Sequence, residues 1–126
     1  MNSQYKNQTH AYDLEERTAR FSEEIIDLVK KVKKDLFNES IIKQLIRCGD
    51  SVGANYCEAI NASSRKDFRN KIYICKKEVN EVKYFLRLLA KTNSEFKIGL
   101  RILWKEAQEL NLIFQKIVNT INKGKK

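Results

Sequence analysis

The side chains best able to act as nucleophiles, general bases or metal ligands are sparse in this sequence. It contains one histidine, His10, and three cysteines, Cys48, Cys57 and Cys75. The cysteines form no C-x-x-C pair and His10 lies in a polar segment before the predicted helices, so the spacing indicates neither a zinc site nor a base-activated nucleophile. A di-iron bundle would need helical Glu-x-x-His pairs, and there are none. We therefore expect no enzyme activity, no catalytic residues, no metal and no cofactor.

A set of polar side chains recurs at helical spacing on one flank of the second predicted helix. Arg47, Ser51, Asn55 and Glu58 lie beside its apolar face, and Glu81 of the next helix is placed to join them. A partly buried network here would need every donor and acceptor paired, and it would fix helix register or subunit contacts. The alternative is a solvated flank whose ion pairs contribute only tenths of a kcal/mol. Carboxylate chemistry through Glu58 and Glu81 is the one catalytic possibility left, and we expect none.

The third predicted helix carries a basic stripe. At 100° per residue its members fall within an arc of roughly 80°, over a length of about 30 Å. Such a stripe can follow a phosphate backbone, and an aromatic ring among cations can stack on an unpaired base. A solvated helix face is the alternative interpretation. The nucleic-acid-binding residues predicted in the stripe are Arg69, Tyr73, Lys76, Lys83, Arg87 and Lys91. Asn80 also lies in the stripe, but it is not one of the predicted binding residues.

The overall charge points to the same class of partner. The chain has 25 Lys and Arg against 16 Asp and Glu, a net charge of +9 at pH 7, which favours nucleic acid or another polyanion. The polar N-terminus has no apolar segment typical of a secretory signal, and no apolar run approaches the ~18 residues of a membrane span. With cysteines that we expect to stay reduced, these features predict a cytoplasmic protein without a membrane partner.

The elements that position these residues are helices. The chain has 126 residues, no proline and four glycines, which favours one domain built from long helices. Apolar residues recur every three or four positions along four segments joined by short turns, so we predict an all-α, antiparallel up-down-up-down four-helix bundle over residues 13–122. Asp13 and Ser40 are the expected N-caps of the first two helices, and Ser64 opens a capping box. The predicted helices span residues 13–37, 41–62, 65–91 and 96–122, between a flexible segment at 1–12 and a basic tail at 123–126.

Small residues are concentrated in the second predicted helix. Gly49 and Gly53 each cost roughly 1 kcal/mol of helix propensity relative to Ala. Their presence indicates either that a neighbouring backbone approaches closely or that the helix is kinked there.

Apolar side chains also project away from the predicted core faces. Stripes of this kind indicate a surface buried by a partner, so self-association is expected, with a wide core face as the alternative. The predicted interface residues are Tyr84, Phe85, Leu88, Ile98, Ile102 and Ile113.

One short motif resembles a known family. The strings S-V-G-A-N-Y-C-E-A at residues 51–59 and S-R-K-D-F at 64–68, followed by Glu81, resemble the pattern S-I-x-A-N-I-A-E-G then S-x-x-D-F. This pattern belongs to bacterial four-helix-bundle proteins encoded in intervening sequences of 23S ribosomal RNA genes. Gly53 and Ala59 depart from it, since Ala or Pro is common at the first position and Gly at the second.

The resemblance implies a homopentameric ring of non-catalytic bundles that contacts RNA or DNA through a basic surface. A related branch, the accessory variability proteins of diversity-generating retroelements, implies a reverse transcriptase as an additional partner. Ser51, Asn55, Glu58 and Glu81 carry over as positions of the motif, with roles in structure and assembly. The leading hypothesis is an oligomeric nucleic-acid-binding bundle, and the alternative is an assembly scaffold for a protein partner. Attachment to an anionic membrane surface ranks below both, because no helix pairs a basic face with an aromatic-rich lipid face.

Overall fold

The computed structural model describes residues 10–124, and their side chains from residue 14 onward. Within this range the chain is all-α, as the sequence predicts, and contains no β-strand. A one-turn 3₁₀ helix, Ser94–Phe96, precedes the last α-helix. The α-helices are α1 (His10–Val29), α2 (Leu36–Ile60), α3 (Arg65–Thr92) and α4 (Lys97–Lys123).

Each helix packs against two others, in the cyclic order α1, α2, α3, α4. α2 contacts α1 and α3, and α4 contacts α3 and α1. Between α3 and α4, Asn80 pairs with Asn111 and Lys83 with Gln108, so residue numbers rise along one helix as they fall along the other. This register is compatible with the predicted up-down-up-down topology.

Most of the apolar residues predicted to face the core meet in one core, but Leu36, expected on the apolar face of the first helix, begins α2 and is 82% exposed. Side chains from all four helices are almost completely buried there, and along each helix they recur at the three- and four-residue spacing typical of bundle packing. No helix within residues 10–124 is long and apolar enough to cross a lipid bilayer. The largest fully buried side chains include Phe21, Ile25, Leu45, Val52, Ile72, Val79, Leu86, Leu110 and Phe114.

The turn between α1 and α2 differs from the prediction. The first helix was expected to continue to residue 37 and the second to be capped by Ser40, but α1 ends at Val29 and Asp35 is the N-cap of α2. The Asp35 carboxylate accepts a hydrogen bond from the backbone N–H of Asn38 at 2.8 Å. Val32, inside the turn, is buried in the core. The apolar spacing therefore continues across the break and conceals it in the sequence.

The ends of the chain also differ from the predicted boundaries. α1 begins at His10, so Asp13 is not its N-cap, and residues 10–12 belong to the helix rather than to a flexible segment. Residues 1–9 of that predicted segment lie outside the described residues. α4 includes Lys123 of the predicted basic tail, whereas Lys125 and Lys126 lie outside the described residues. α3 and α4 differ from their predicted bounds by at most one residue at each end.

The glycines of α2 lie where α1 comes closest. A Cβ added at Gly49 would be 2.8 Å from Ile25 Cδ1, and one at Gly53 would be 3.2 Å from Thr18 Oγ1 and 3.7 Å from the Thr18 carbonyl carbon. α2 continues as one helix through both positions. Close approach of α1, rather than a break in α2, accounts for the small residues.

A buried amide pair closes one end of the bundle. Asn38, in the first turn of α2, donates from Nδ2 to Asn93 Oδ1 at 3.0 Å, and Asn93 donates back to Asn38 Oδ1 at 2.7 Å. The same side chains bond the backbone carbonyls of Lys33 and Leu89. The pair thus ties the turn before α2 to the turn after α3, and both asparagines are nearly inaccessible to solvent.

We predict that Asn38→Ala lowers the free energy of unfolding by about 1–3 kcal/mol, because it leaves the buried Asn93 amide without its partner. Asn93→Ala should cost a similar amount, and the double variant less than the sum of the two. Urea unfolding followed by circular dichroism measures this. Asn70→Ala, on the exposed surface of α3, is the control and should leave stability nearly unchanged. An Asn38→Ala midpoint equal to that of wild type would contradict the structural role of the pair.

Candidate nucleic-acid interface

The two flanks of α3 differ in charge because they face different helices. On the flank toward α2, the acidic residues of α3 are neutralised. Arg47 forms ion pairs with Glu78, at 3.3 Å, and with Glu81, and the hydrogen bond to Glu81 raises the pKa of the guanidinium. Lys71 Nζ lies 2.7 Å from Glu58 Oε1, and that hydrogen bond raises the pKa of the ammonium.

The polar residues predicted on α2 lie along this same flank. Asn55 Nδ2 donates to the backbone carbonyl of Ser51 at 2.8 Å, and both residues are half-buried. Arg47 reaches across to Glu81 as the sequence suggested, whereas Glu58 pairs with Lys71 of α3. The α2–α3 flank is therefore a line of ion pairs that links two helices, in which two cations bind three carboxylates.

The basic stripe lies on the opposite flank of α3, toward α4. Lys83 donates from Nζ to Gln108 Oε1, and its ammonium lies 4.8 Å from the centre of the Trp104 ring. Both partners are uncharged, so they hold the side chain without cancelling its positive charge. Asn80 pairs with Asn111 of α4 at 3.2 Å.

The other members of the stripe are distributed along the same flank. Tyr73, Arg87 and Lys91 are exposed, and Arg69 and Lys76 are half-buried. The Arg69 Nε is buried and has no hydrogen-bond partner among the described residues. Within residues 14–124, no carboxylate lies within ion-pair distance of any basic residue of the stripe. The stripe is thus a surface of uncompensated positive charge.

α4 extends this surface with residues that the sequence analysis missed. Opposite Arg87, the two helices enclose an open groove of about 480 Å³, which we call the Trp104 groove. Leu86, Ala90 and Leu100 form its apolar floor. A signal was present in the sequence, because the α4 residues share one flank at helical spacing, but only the apolar face of that helix was interpreted. The polar and aromatic side chains that line the groove are Arg87, Lys97, Arg101, Trp104 and Lys105.

The acidic residues of α4 face away from the groove. Glu106 and Glu109 lie on the flank toward α1, where Arg17 binds them at 2.7 and 2.8 Å. These hydrogen bonds, above all that to Glu106, raise the pKa of the Arg17 guanidinium. Because carboxylates are paired on the α1–α4 and α2–α3 flanks, the positive charge is concentrated on the α3–α4 side.

The predicted interface residues are divided between α3 and α4. Ile98 and Ile102 of α4 are 77% and 61% exposed, and Tyr84 of α3 is also exposed. Phe85 and Ile113 instead pack against the core. Leu88 is half-buried on α3. Only part of the predicted interface set is therefore available to a partner in a single subunit.

Comparison with known proteins places this fold among relatives. The sequence profile of one family, described as 23S rRNA-intervening sequence protein, matches residues 11–116. A crystal structure of a protein with unknown function from the S23 ribosomal protein family of Bacteroides thetaiotaomicron VPI-5482 is 32% identical in sequence, with a TM-score of 0.74. The match covers 82% of this chain and 96% of that one. No curated protein matches the chain.

The described residues include three thiols whose pKa values are raised. No group of three or more His, Cys, Asp or Glu side chains within residues 14–124 is arranged to hold a metal ion. All three cysteines are unpaired, and burial raises the pKa of Cys48 and of Cys75 to about 12. Cys57 is exposed, yet partial burial and the carboxylate of Glu15, to which its thiol donates at 3.8 Å, raise its pKa as well. At neutral pH these groups therefore stay in the poorly nucleophilic thiol form.

We predict that iodoacetamide at pH 8 modifies Cys57 alone in the folded protein and all three cysteines in denaturant, as counted by intact-mass spectrometry. Glu15→Gln should accelerate the modification of Cys57, since loss of the carboxylate lowers the thiol pKa and raises the thiolate fraction at that pH. Glu16→Gln, one residue along the same helix, is the matched control and should leave the rate unchanged. Labelling of Cys48 or Cys75 in the folded protein would contradict their placement in the core.

Proposed function

The chain belongs to the 23S rRNA-intervening sequence protein family, and from that premise we propose that it is a non-catalytic, cytoplasmic, nucleic-acid-binding protein. In this proposal it is an antiparallel four-helix bundle that holds RNA along the α3–α4 side. One observation carries the proposal: the basic stripe and the cations of the Trp104 groove form one surface that lacks carboxylate partners among the described residues.

The electrostatics of this surface suit a polyanion. Each phosphate that a Lys or Arg neutralises releases condensed counterions, and this release supplies most of the affinity of sequence-independent binding. Cations already paired with carboxylates contribute little to it, which removes Arg17, Arg47 and Lys71 from the interface. The cations on the α3–α4 side have no carboxylate partner among the described residues. They extend over the roughly 30 Å of the stripe, so one RNA strand can contact several of them together.

We predict that the fourfold variant Arg69→Glu, Lys76→Glu, Lys83→Glu and Arg87→Glu binds RNA much more weakly than wild type while its helicity, measured by circular dichroism, is retained. With wild type, affinity for single-stranded RNA should fall steeply with salt. The slope of log affinity against log salt should decrease in magnitude by about 3 in the variant if all four side chains neutralise phosphates. Fluorescence anisotropy across a salt series measures the affinity for RNA and its salt slope.

The matched control carries the same change of net charge elsewhere. Lys30, Lys33, Lys34 and Lys43 are exposed on α2 and on the turn before it. Their fourfold change to Glu should lower affinity only through the weaker long-range attraction of a less basic protein, with a nearly unchanged salt slope. Equal losses in the two fourfold variants would contradict the α3–α4 surface and indicate that net charge alone attracts RNA.

A second candidate function is that of an assembly scaffold. It is favoured by the exposure of Ile98 and Ile102, two large apolar side chains one turn apart on α4. A self-associated ring, the homopentamer expected from the family resemblance, would bury such residues, and the ring would then serve a protein partner such as a retroelement reverse transcriptase. The two candidates differ in the partner that matters, and both accommodate an oligomer.

We predict that Ile98→Glu with Ile102→Glu reduces the oligomer to smaller species, since two carboxylates cannot be buried unpaired in an apolar interface. Light scattering coupled to size-exclusion chromatography measures the mass. Leu36→Glu, at an 82% exposed position on α2 outside the predicted interface, is the control and should keep the wild-type mass. A monomeric wild-type protein would overturn the scaffold candidate. An oligomer with no salt-sensitive RNA binding would favour it over RNA binding.

A further inference from the structure

The Trp104 groove combines two kinds of surface that phosphate binding alone does not require. Its floor is apolar, and its rim carries four cations, all exposed and none paired with a carboxylate among the described residues. A bundle that only followed a phosphate backbone would need the rim and not the floor. The groove therefore fits a ligand that is anionic along one edge and flat and apolar along another.

Trp104 supplies the stacking surface. It is 39% exposed, and its ring is held in place by the Lys83 ammonium at 4.8 Å from the ring centre. Lys83 donates a hydrogen bond to Gln108, and this bond positions its ammonium against the Trp104 ring. A held aromatic ring with an exposed surface is the kind of platform on which single-stranded nucleic acids stack their bases.

We propose that the Trp104 groove binds an unpaired nucleotide, with its base against Trp104 and the apolar floor and the adjoining phosphates on Arg87 and the cations of α4. This inference rests on the proposed function and specifies it, because it makes single-stranded RNA the class of ligand that the protein binds. The groove volume of about 480 Å³ lies within the usual range for sites that hold small organic ligands. The bases of a duplex are stacked on one another and offer no free face, so a duplex gains only the phosphate contacts.

The first test changes the ring and keeps the charges. Trp104→Leu should weaken binding of single-stranded oligo(U) about tenfold or more, with an unchanged salt slope, because stacking is lost and the phosphate contacts are kept. Its affinity for duplex RNA should stay as in wild type. Trp104→Phe should restore most of the loss. Phe37→Leu, which removes a 67% exposed aromatic ring from the first turn of α2, is the matched control and should have no effect.

The second test uses Trp104 as its own reporter, since it is the only tryptophan in the chain. Oligo(U) should quench its fluorescence, whereas inorganic polyphosphate, which has the phosphates but no bases, should bind and quench much less. Equal quenching by the two, an unchanged oligo(U) affinity in Trp104→Leu, or equally tight binding of poly-glutamate would overturn the nucleotide site while leaving RNA binding on the stripe intact. Failure of wild type to bind any RNA would instead overturn the proposed function, and the nucleotide site with it.

Discussion

The rotation of α3 about its own axis is the constraint on which the rest of the structure depends. Its apolar side chains must face the core, because leaving them in water would forfeit the main favourable contribution to folding. Once that face is buried, one flank necessarily lies against α2 and the other against α4. Glu78 and Glu81 then meet Arg47, and Lys83 meets Trp104 and Gln108. Burial of the apolar face of α3 thus separates the cations that are paired with carboxylates from those that are not.

That separation has a consequence for binding. Positive charges gathered on one side repel one another and destabilise the folded chain, and a bound polyanion relieves the repulsion. The bundle tolerates the arrangement because its stability comes from a core shared by all four helices and from the buried Asn38–Asn93 pair at one end. The unpaired cations lie where Arg87, Lys97 and Arg101 line the same groove as Trp104.

How far the sequence could be interpreted depended on whether a feature lies within one helix or between two. Helix type, the core faces and the ends of α3 and α4 follow from local spacing and caps. The α1–α2 turn did not, because Val32 keeps the helical period while it lies in the turn, and the Asp35 cap competes with Ser40 as a start signal. The Asn38–Asn93 pair was beyond local patterns, since its partners are 55 residues apart.

The sequence by itself determined four amphipathic helices, a motif typical of one family and a basic stripe along the third helix, because each of these is a periodic pattern within a short segment. Only the tertiary structure decided which cations are paired with carboxylates and that Trp104 lies opposite Arg87. The physical reason is that the period of a helix fixes the direction of a side chain about its own axis, whereas the register between helices is set by packing along the whole length of their contact.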